Sequence, residues 1–189
     1  PHTLINSFLN KFKNCQIDIG GQNCHENENF GPHTGFINCR MLKNVGANYV
    51  IIGHSENRKK GETNKLINLK IKSALKAKLK VIFCIGETLK ERKTKKTNLI
   101  LKRQIEKGLK SIKNKSKIII AYEPVWSIGT GVIPKEAALI QTISFIKSRF
   151  VKKYPKILYG GSVNSNNADK LKKIPNIDGF LIGGASQNS

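Results

Sequence analysis

Short apolar runs alternate with longer amphipathic segments along this 189-residue chain. Six of the runs predict β-strands, because each holds an apolar, often β-branched stretch that a glycine, proline or polar residue follows closely. These runs are residues 17–23, 49–53, 80–85, 117–122, 156–160 and 179–182. The segments between them predict helices, as in 62–77, where apolar residues recur at three- and four-residue steps. The predicted helices are residues 39–45, 62–77, 95–112, 135–152 and 167–173.

The order of these elements is β-α-β-α without interruption, which indicates an α/β fold with parallel strands and right-handed crossovers. The run from Ile118 to Ala121 is apolar throughout, as expected where helices cover both faces of a parallel sheet. Six such units fit either a doubly wound open sheet or most of a (β/α)8 barrel, and periodicity does not decide between them. No linker or low-complexity segment divides residues 1–189, so we expect a single domain.

Composition changes this picture little. A net charge of +22 is typical of nucleic-acid-binding proteins. However, the bases are nearly all lysines, they are spread along the chain, and no aromatic residues alternate with them in a stacking platform. We interpret the charge as compositional bias that could also steer a dianionic substrate, and we expect neither a nucleic-acid nor a membrane partner. The four cysteines have no zinc-ligand spacing, which favours reduced thiols in a cytoplasmic protein without a metal site.

Two residues that could perform acid–base chemistry directly follow predicted strands. Glu123 follows the fourth strand and His54 the second, and the carboxyl ends of parallel strands share one face of the sheet. A carboxylate desolvated beside Pro124 and Trp126 would serve as a general base, whereas a lone glutamate is more often an ion-paired surface residue. His54 opens a helical turn, where a neutral ring that donates a hydrogen bond is favoured. The alternative is a core histidine satisfied by a backbone group.

Residues 124–134 form a segment with a proline at each end, two glycines and an apolar tip, a pattern that suits a hinged lid. The lid residues are Pro124, Val125, Trp126, Ser127, Ile128, Gly129, Thr130 and Gly131. Two glycine pairs, Gly160-Gly161 before Ser162 and Gly183-Gly184, follow the last two predicted strands. Backbone N–H groups in such turns bind phosphate, although diglycines also serve as ordinary turns.

No dinucleotide-binding GxGxxG or GxxxxGK[ST] loop follows the first strand. Instead the chain resembles the triosephosphate isomerase family over nearly its whole length. The most specific match is the run Tyr-Glu-Pro-Val-Trp-x-Ile-Gly-Thr-Gly at 122–131. The other matching segments follow in family order and are residues 20–24, 50–56, 84–88, 159–163 and 183–186.

The resemblance implies a (β/α)8 barrel, here with about six of its eight units. It implies interconversion of dihydroxyacetone phosphate and glyceraldehyde 3-phosphate, a step of glycolysis and gluconeogenesis, without metal or cofactor. By motif match, Glu123 is the base, neutral His54 polarises the carbonyl, and Glu56 supports the site. The phosphate would bind backbone N–H groups of Gly129, Ser162, Gly183 and Gly184.

The family is typically a homodimer, and the loop around Thr34 resembles its interface loop. Phe36 and Asn57 depart from the family, which usually has glutamate and arginine there, and residues 132–134 replace the commoner lid hinge. The family's Asn-x-Lys strand, which carries a catalytic lysine, has no counterpart, nor does the last helix. We expect a partial record of a longer chain. The alternatives are an inactive fragment of the family, another phosphate-binding barrel enzyme, or a basic nucleic-acid-binding protein.

Overall fold

The computed structural model describes residues 1–151 and 154–187. The chain divides into two compact units. The first comprises Pro1–Phe83 and Lys107–Ile118, and the second comprises Cys84–Glu106 and Ile119–Ser189. In the described part of the chain, no helix is long and apolar enough to cross a membrane.

The first unit is built on parallel strands. Strand β1 (Gly20–Gly21) pairs with β2 (Tyr49–Ile52), in the register Gly20 to Tyr49, and β2 pairs with β3 (Lys80–Ile85), in the register Tyr49 to Lys80. The last two residues of β3 fall in the second unit. The helices of this unit are α1 (Ile5–Lys11), α2 (Cys39–Asn44), α3 (Ser55–Lys59) and α4 (Asn64–Lys76), after a 3-10 turn at His2–Leu4.

Helix α4 shows how the sequence sets a boundary and a buried face. Thr63 caps its start, because the threonine side chain accepts the backbone N–H of Leu66 at 3.2 Å. Ile67, Ile71 and Ala74 are fully buried, and their three- and four-residue spacing places them on one face of the helix. The predicted apolar face of segment 62–77 is therefore the packed face.

The second unit also contains parallel strands. Strand β4 (Ile118–Tyr122) pairs with β5 (Ile157–Tyr159), in the register Ile120 to Ile157, and β5 pairs with β6 (Gly179–Phe180), in the register Leu158 to Gly179. Its helices are α5 (Leu89–Lys93), α6 (Thr97–Gly108), α7 (Glu136–Ser148) and α8 (Ser165–Leu171), followed by a 3-10 turn at Gly184–Ser186. The Glu123 N–H donates to the Ile85 carbonyl at 2.8 Å, so the ends of β3 and β4 lie side by side.

The predicted α/β class is confirmed, since all six predicted strands are present and their pairs in each unit are parallel. The first strand is much shorter than the predicted 17–23. Ile17 is half exposed, and only the Ile19 carbonyl continues the ladder, by accepting the Asn48 N–H at 2.8 Å. The helix predicted over 135–152 ends at Ser148, and Lys152 lies outside the described residues. The prediction of one domain stays a prediction.

The four cysteines differ in their exposure. Cys24, Cys39 and Cys84 are buried and Cys15 is exposed, and no disulfide joins them in the described part of the chain. The reduced state of the thiols stays a prediction.

Candidate active site

His54 lies directly after β2, at the N-cap of the short helix α3 in the first unit. Its Nδ1 accepts the backbone N–H of Glu56 at 3.4 Å, which requires an unprotonated Nδ1 and places the proton of a neutral ring on Nε2. The Glu56 side chain is largely exposed, with one carboxylate oxygen 4.0 Å from Nδ1. The neutral state of His54 stays a prediction.

Arg58 holds the turn that carries His54, a role that the sequence did not reveal. Its Nε donates to the Gly53 carbonyl at 2.7 Å, and its Nη1 donates to Asn64 Oδ1 at 2.8 Å. Gly53 has a φ of +80°, a conformation that suits glycine at this sharp turn. The arginine therefore ties the end of β2 to the start of α4.

Glu123 lies directly after β4 in the second unit and is only 2% exposed. Two glycines make room for it. A side chain at Gly86 would overlap with the Glu123 carbonyl, and a Cβ at Gly160 would come within 2.8 Å of Glu123 Cγ. The carboxylate is thus held at the ends of neighbouring parallel strands, where the sequence predicted a desolvated base.

A buried carboxylate, Glu87, anchors the first half of the predicted lid. It accepts hydrogen bonds from Arg92 Nη1 at 3.1 Å, from the Tyr122 hydroxyl at 3.1 Å and from Trp126 Nε1 at 3.2 Å. The Arg92 guanidinium also lies 4.9 Å from the centre of the Trp126 ring. Burial, with the Glu87 charge adding to it, raises the pKa of Tyr122 well above its usual value and keeps that hydroxyl a donor. The lid therefore begins at a charged, fully hydrogen-bonded cluster.

Sequence reasoning missed the role of Glu87. A signal existed, because Glu87 follows β3 as Glu123 follows β4, and both lie at the carboxyl end of a parallel strand.

The lid itself has buried hinges and an exposed tip. Pro124 and Pro134 are buried, whereas Gly129 and Gly131 are exposed and adopt φ angles of +69° and +75°. The left-handed conformations explain why glycine occupies both positions. The Gly131 N–H donates to Ser162 Oγ at 3.1 Å, which joins the lid to the glycine turn after β5.

The glycine turns that were predicted to bind phosphate differ in their surroundings. Gly183 and Gly184 are exposed after β6, and a Cβ at either would meet nothing within 4 Å, so their backbone is accessible. The Ser162 N–H donates to Ser127 Oγ at 3.3 Å, a long hydrogen bond within the protein. The structure thus brings Glu123, the lid and Ser162 together in the second unit, while His54 and Glu56 belong to the first.

A buried carboxylate, a hinged lid and glycine turns at the carboxyl ends of parallel strands define an α/β enzyme class that acts on small anionic substrates. The triosephosphate isomerase family model matches residues 1–189. The chain belongs to the triosephosphate isomerase family.

Individual relatives give the same result. The chain is 44% identical to the triosephosphate isomerase of Chlorobium luteolum over 181 residues, which covers 92% of this chain and 72% of the relative. It is 46% identical to the enzyme of Thermodesulfovibrio yellowstonii, with 92% and 73% covered. The crystal structure of triosephosphate isomerase from Bartonella henselae matches with a TM-score of 0.90 and 40% identity, and covers 98% of this chain and 78% of that one. The prediction of an incomplete (β/α)8 barrel is confirmed by this likeness.

Proposed function

We propose that Glu123 and His54 are the catalytic residues with which this protein interconverts dihydroxyacetone phosphate and glyceraldehyde 3-phosphate. The reaction is that of the family to which the chain belongs. The assignment of the base rests on the placement of Glu123, which is buried directly after β4. Two glycines, Gly86 and Gly160, leave room for it, and a larger residue at either position would displace Glu123.

The reaction moves a proton between adjacent carbon atoms. The Glu123 carboxylate removes a proton from the carbon beside the substrate carbonyl, which leaves an enediolate, and then returns a proton to the neighbouring carbon. In the same reaction a proton leaves the hydroxyl oxygen and the former carbonyl oxygen gains one, so that carbonyl and hydroxyl exchange places. His54 donates a hydrogen bond from Nε2 to the oxygen on which negative charge develops. The acceptor role of Nδ1 toward the Glu56 N–H supports this tautomer. A neutral imidazole stabilises the developing negative charge through this hydrogen bond and brings no positive charge of its own into the site.

The phosphate is held by backbone N–H groups rather than by long side chains. We assign this role to Gly129, Ser162, Gly183 and Gly184. The exposed backbone of Gly183 and Gly184 and the open space around Gly129 support the assignment. Closure of residues 124–134 over the substrate excludes water and suppresses elimination of phosphate from the enediolate.

We also propose that the protein acts in the cytoplasm as a homodimer, with the loop around Thr34 at the interface. Phe30 and Phe36 in this loop are 62% and 61% exposed, which is unusual for phenylalanine at a free surface. The Phe36 ring lies 4.7 Å from the ring of His25, so the loop presents an aromatic cluster to a partner subunit. Analytical ultracentrifugation of the wild-type protein and of Phe36→Lys tests this assignment. We expect a dimeric wild type and a weakened dimer in the variant, and a monomeric wild type or an equally stable dimer in both would contradict it.

The proposed activity is tested on the product of the complete coding sequence, with coupled assays in both directions. We expect Glu123→Gln to lower kcat by about 10²–10⁴-fold, the usual contribution of a general base. Glu106→Gln, on the exposed face of α6, is the matched control and should keep wild-type activity. A wild-type protein without isomerase activity would favour the alternative of an inactive fragment of the family.

A further inference from the structure

Ser127 is a polar residue in the middle of the lid, yet it is fully buried. The lid residues that follow it, from Gly129 to Val132, are exposed. A hydroxyl that is removed from water in this way must find hydrogen-bond partners within the protein, or it destabilises the state that buries it.

The Ser127 hydroxyl has three partners, which fill its capacity. Its Oγ donates to the Val132 carbonyl at 2.5 Å, lies 3.2 Å from the Tyr159 hydroxyl, and accepts the Ser162 N–H at 3.3 Å. A serine has one proton to donate and two lone pairs. Because that proton goes to Val132, the Tyr159 hydroxyl must be the donor to Ser127.

The surroundings are shaped for this contact. Burial raises the pKa of Tyr159, so its hydroxyl stays protonated and remains a donor. A Cβ at Gly161 would overlap with the Tyr159 hydroxyl and lie 2.7 Å from Ser127 Oγ, so only glycine leaves room for the pair. Pro134, at the end of the lid, has no N–H to donate. The Ser127 hydroxyl thus joins the lid to the end of β5.

We propose that Ser127 is a positioning residue that holds the lid closed against the end of β5, through its hydrogen bond with the Tyr159 hydroxyl. Its bond to Val132 lies within the lid, and the Ser162 N–H that it accepts here turns to the phosphate when substrate binds. This inference rests on the proposed function, because it takes residues 124–134 to close over a phosphorylated substrate. Ser127 does not touch the reacting atoms. It determines how often the lid is closed and how well the enediolate is shielded from water.

The test compares Ser127→Ala with the wild-type protein expressed from its complete coding sequence. We expect kcat/KM for glyceraldehyde 3-phosphate to fall about tenfold, which corresponds to about 1.4 kcal/mol. KM should rise, because fewer molecules hold the closed lid. The release of inorganic phosphate per isomerisation event should also rise, since breakage of the C–O bond to phosphate competes with proton return when the lid is open.

Two variants separate positioning from simple loss of packing. Tyr159→Phe removes the donor to Ser127, and the double variant Ser127→Ala/Tyr159→Phe should be no worse than Ser127→Ala alone, because both changes remove one shared hydrogen bond. Ser73→Ala, a buried serine in α4 of the first unit, is the matched control and should leave the phosphate-release ratio unchanged.

The outcomes distinguish this inference from the proposed function. Unchanged kinetic constants and phosphate release in Ser127→Ala, in a protein that Glu123→Gln inactivates, would overturn the positioning role and leave the isomerase assignment standing. Additive losses in the double variant would also overturn it. A wild-type protein without isomerase activity would instead refute the function on which both rest.

Discussion

The position of Glu123 depends on the absence of a side chain at Gly160, and the substitution Gly160→Ala tests this dependence. A Cβ at Gly160 would lie 2.8 Å from Glu123 Cγ and 3.4 Å from Leu181 Cβ. Ordinary contacts of a Cβ begin at 3.4 Å, so the Glu123 side chain must move by the difference, 0.6 Å. Gly160 has no positive φ, and alanine therefore adds a contact without adding backbone strain.

The magnitude follows from the sensitivity of catalysis to position. A displacement of 1 Å at a reacting group costs about 10²-fold in rate. A shift of 0.6 Å on the same logarithmic scale lowers kcat about 15-fold. The backbone of Glu123 is fixed by its hydrogen bond to the Ile85 carbonyl, so the displacement falls on the carboxylate-bearing side chain.

The measurement is kcat and KM in both directions, together with the thermal midpoint. We expect kcat to fall while KM changes little, because the phosphate-binding groups stay in place. Gly179→Ala is the matched control, since its Cβ would also make a tight contact, with Leu158 Cδ2 at 3.1 Å, but none with Glu123. A Gly160→Ala protein with wild-type kcat and an unchanged thermal midpoint would refute the reasoning.

Two further predictions concern buried charge. In the first unit Lys70 and Glu62 form an ion pair, and their side chains are only 7% and 10% exposed. Because Lys70→Met leaves the buried Glu62 carboxylate without this partner, we expect it to lower the free energy of unfolding, measured by urea titration, by about 3–5 kcal/mol. The exposed Lys65 on the same helix gives the control, Lys65→Met, and equal losses in the two variants would contradict the prediction. The raised pKa of Tyr122, caused by burial and by the Glu87 charge, means that the folded state keeps this proton above the ordinary value of 10.0. Stability should therefore fall as pH rises above about 10, and Tyr122→Phe should reduce that slope; an unchanged slope between pH 9 and 11 would refute it.

The fold was predictable where apolar periodicity is strong. The buried face of α4, formed by Ile67, Ile71 and Ala74, and the apolar run of β4 could be predicted from the sequence, because buried positions must be apolar and follow the period of the element. Helix α1 was not predicted, since Ile5 is its one buried residue and no apolar face repeats along it. Helix α5 is five residues long and is defined by the capping box of Thr88 and Glu91 rather than by periodicity.

The candidate site was predictable to a similar degree. Glu123 was found because it follows an apolar strand within a specific motif. Glu87 and Ser127 were missed as functional contacts, because each acts through partners distant in sequence. Glu87 meets Trp126 39 residues away, and Ser127 meets Tyr159 32 residues away. A motif in the sequence identifies a side chain that could react, but it does not identify the hydrogen-bond partners from other elements that hold the site in place.

The central claim is that Glu123 transfers a proton between adjacent carbons of a triose phosphate. Isomerisation in D2O, followed by proton NMR, tests it most directly. The wild-type protein should convert dihydroxyacetone phosphate and incorporate deuterium from solvent at the carbon that receives the proton, while Glu123→Gln should lose isomerisation and exchange together. Exchange and isomerisation that persist at wild-type rates in Glu123→Gln would contradict the claim.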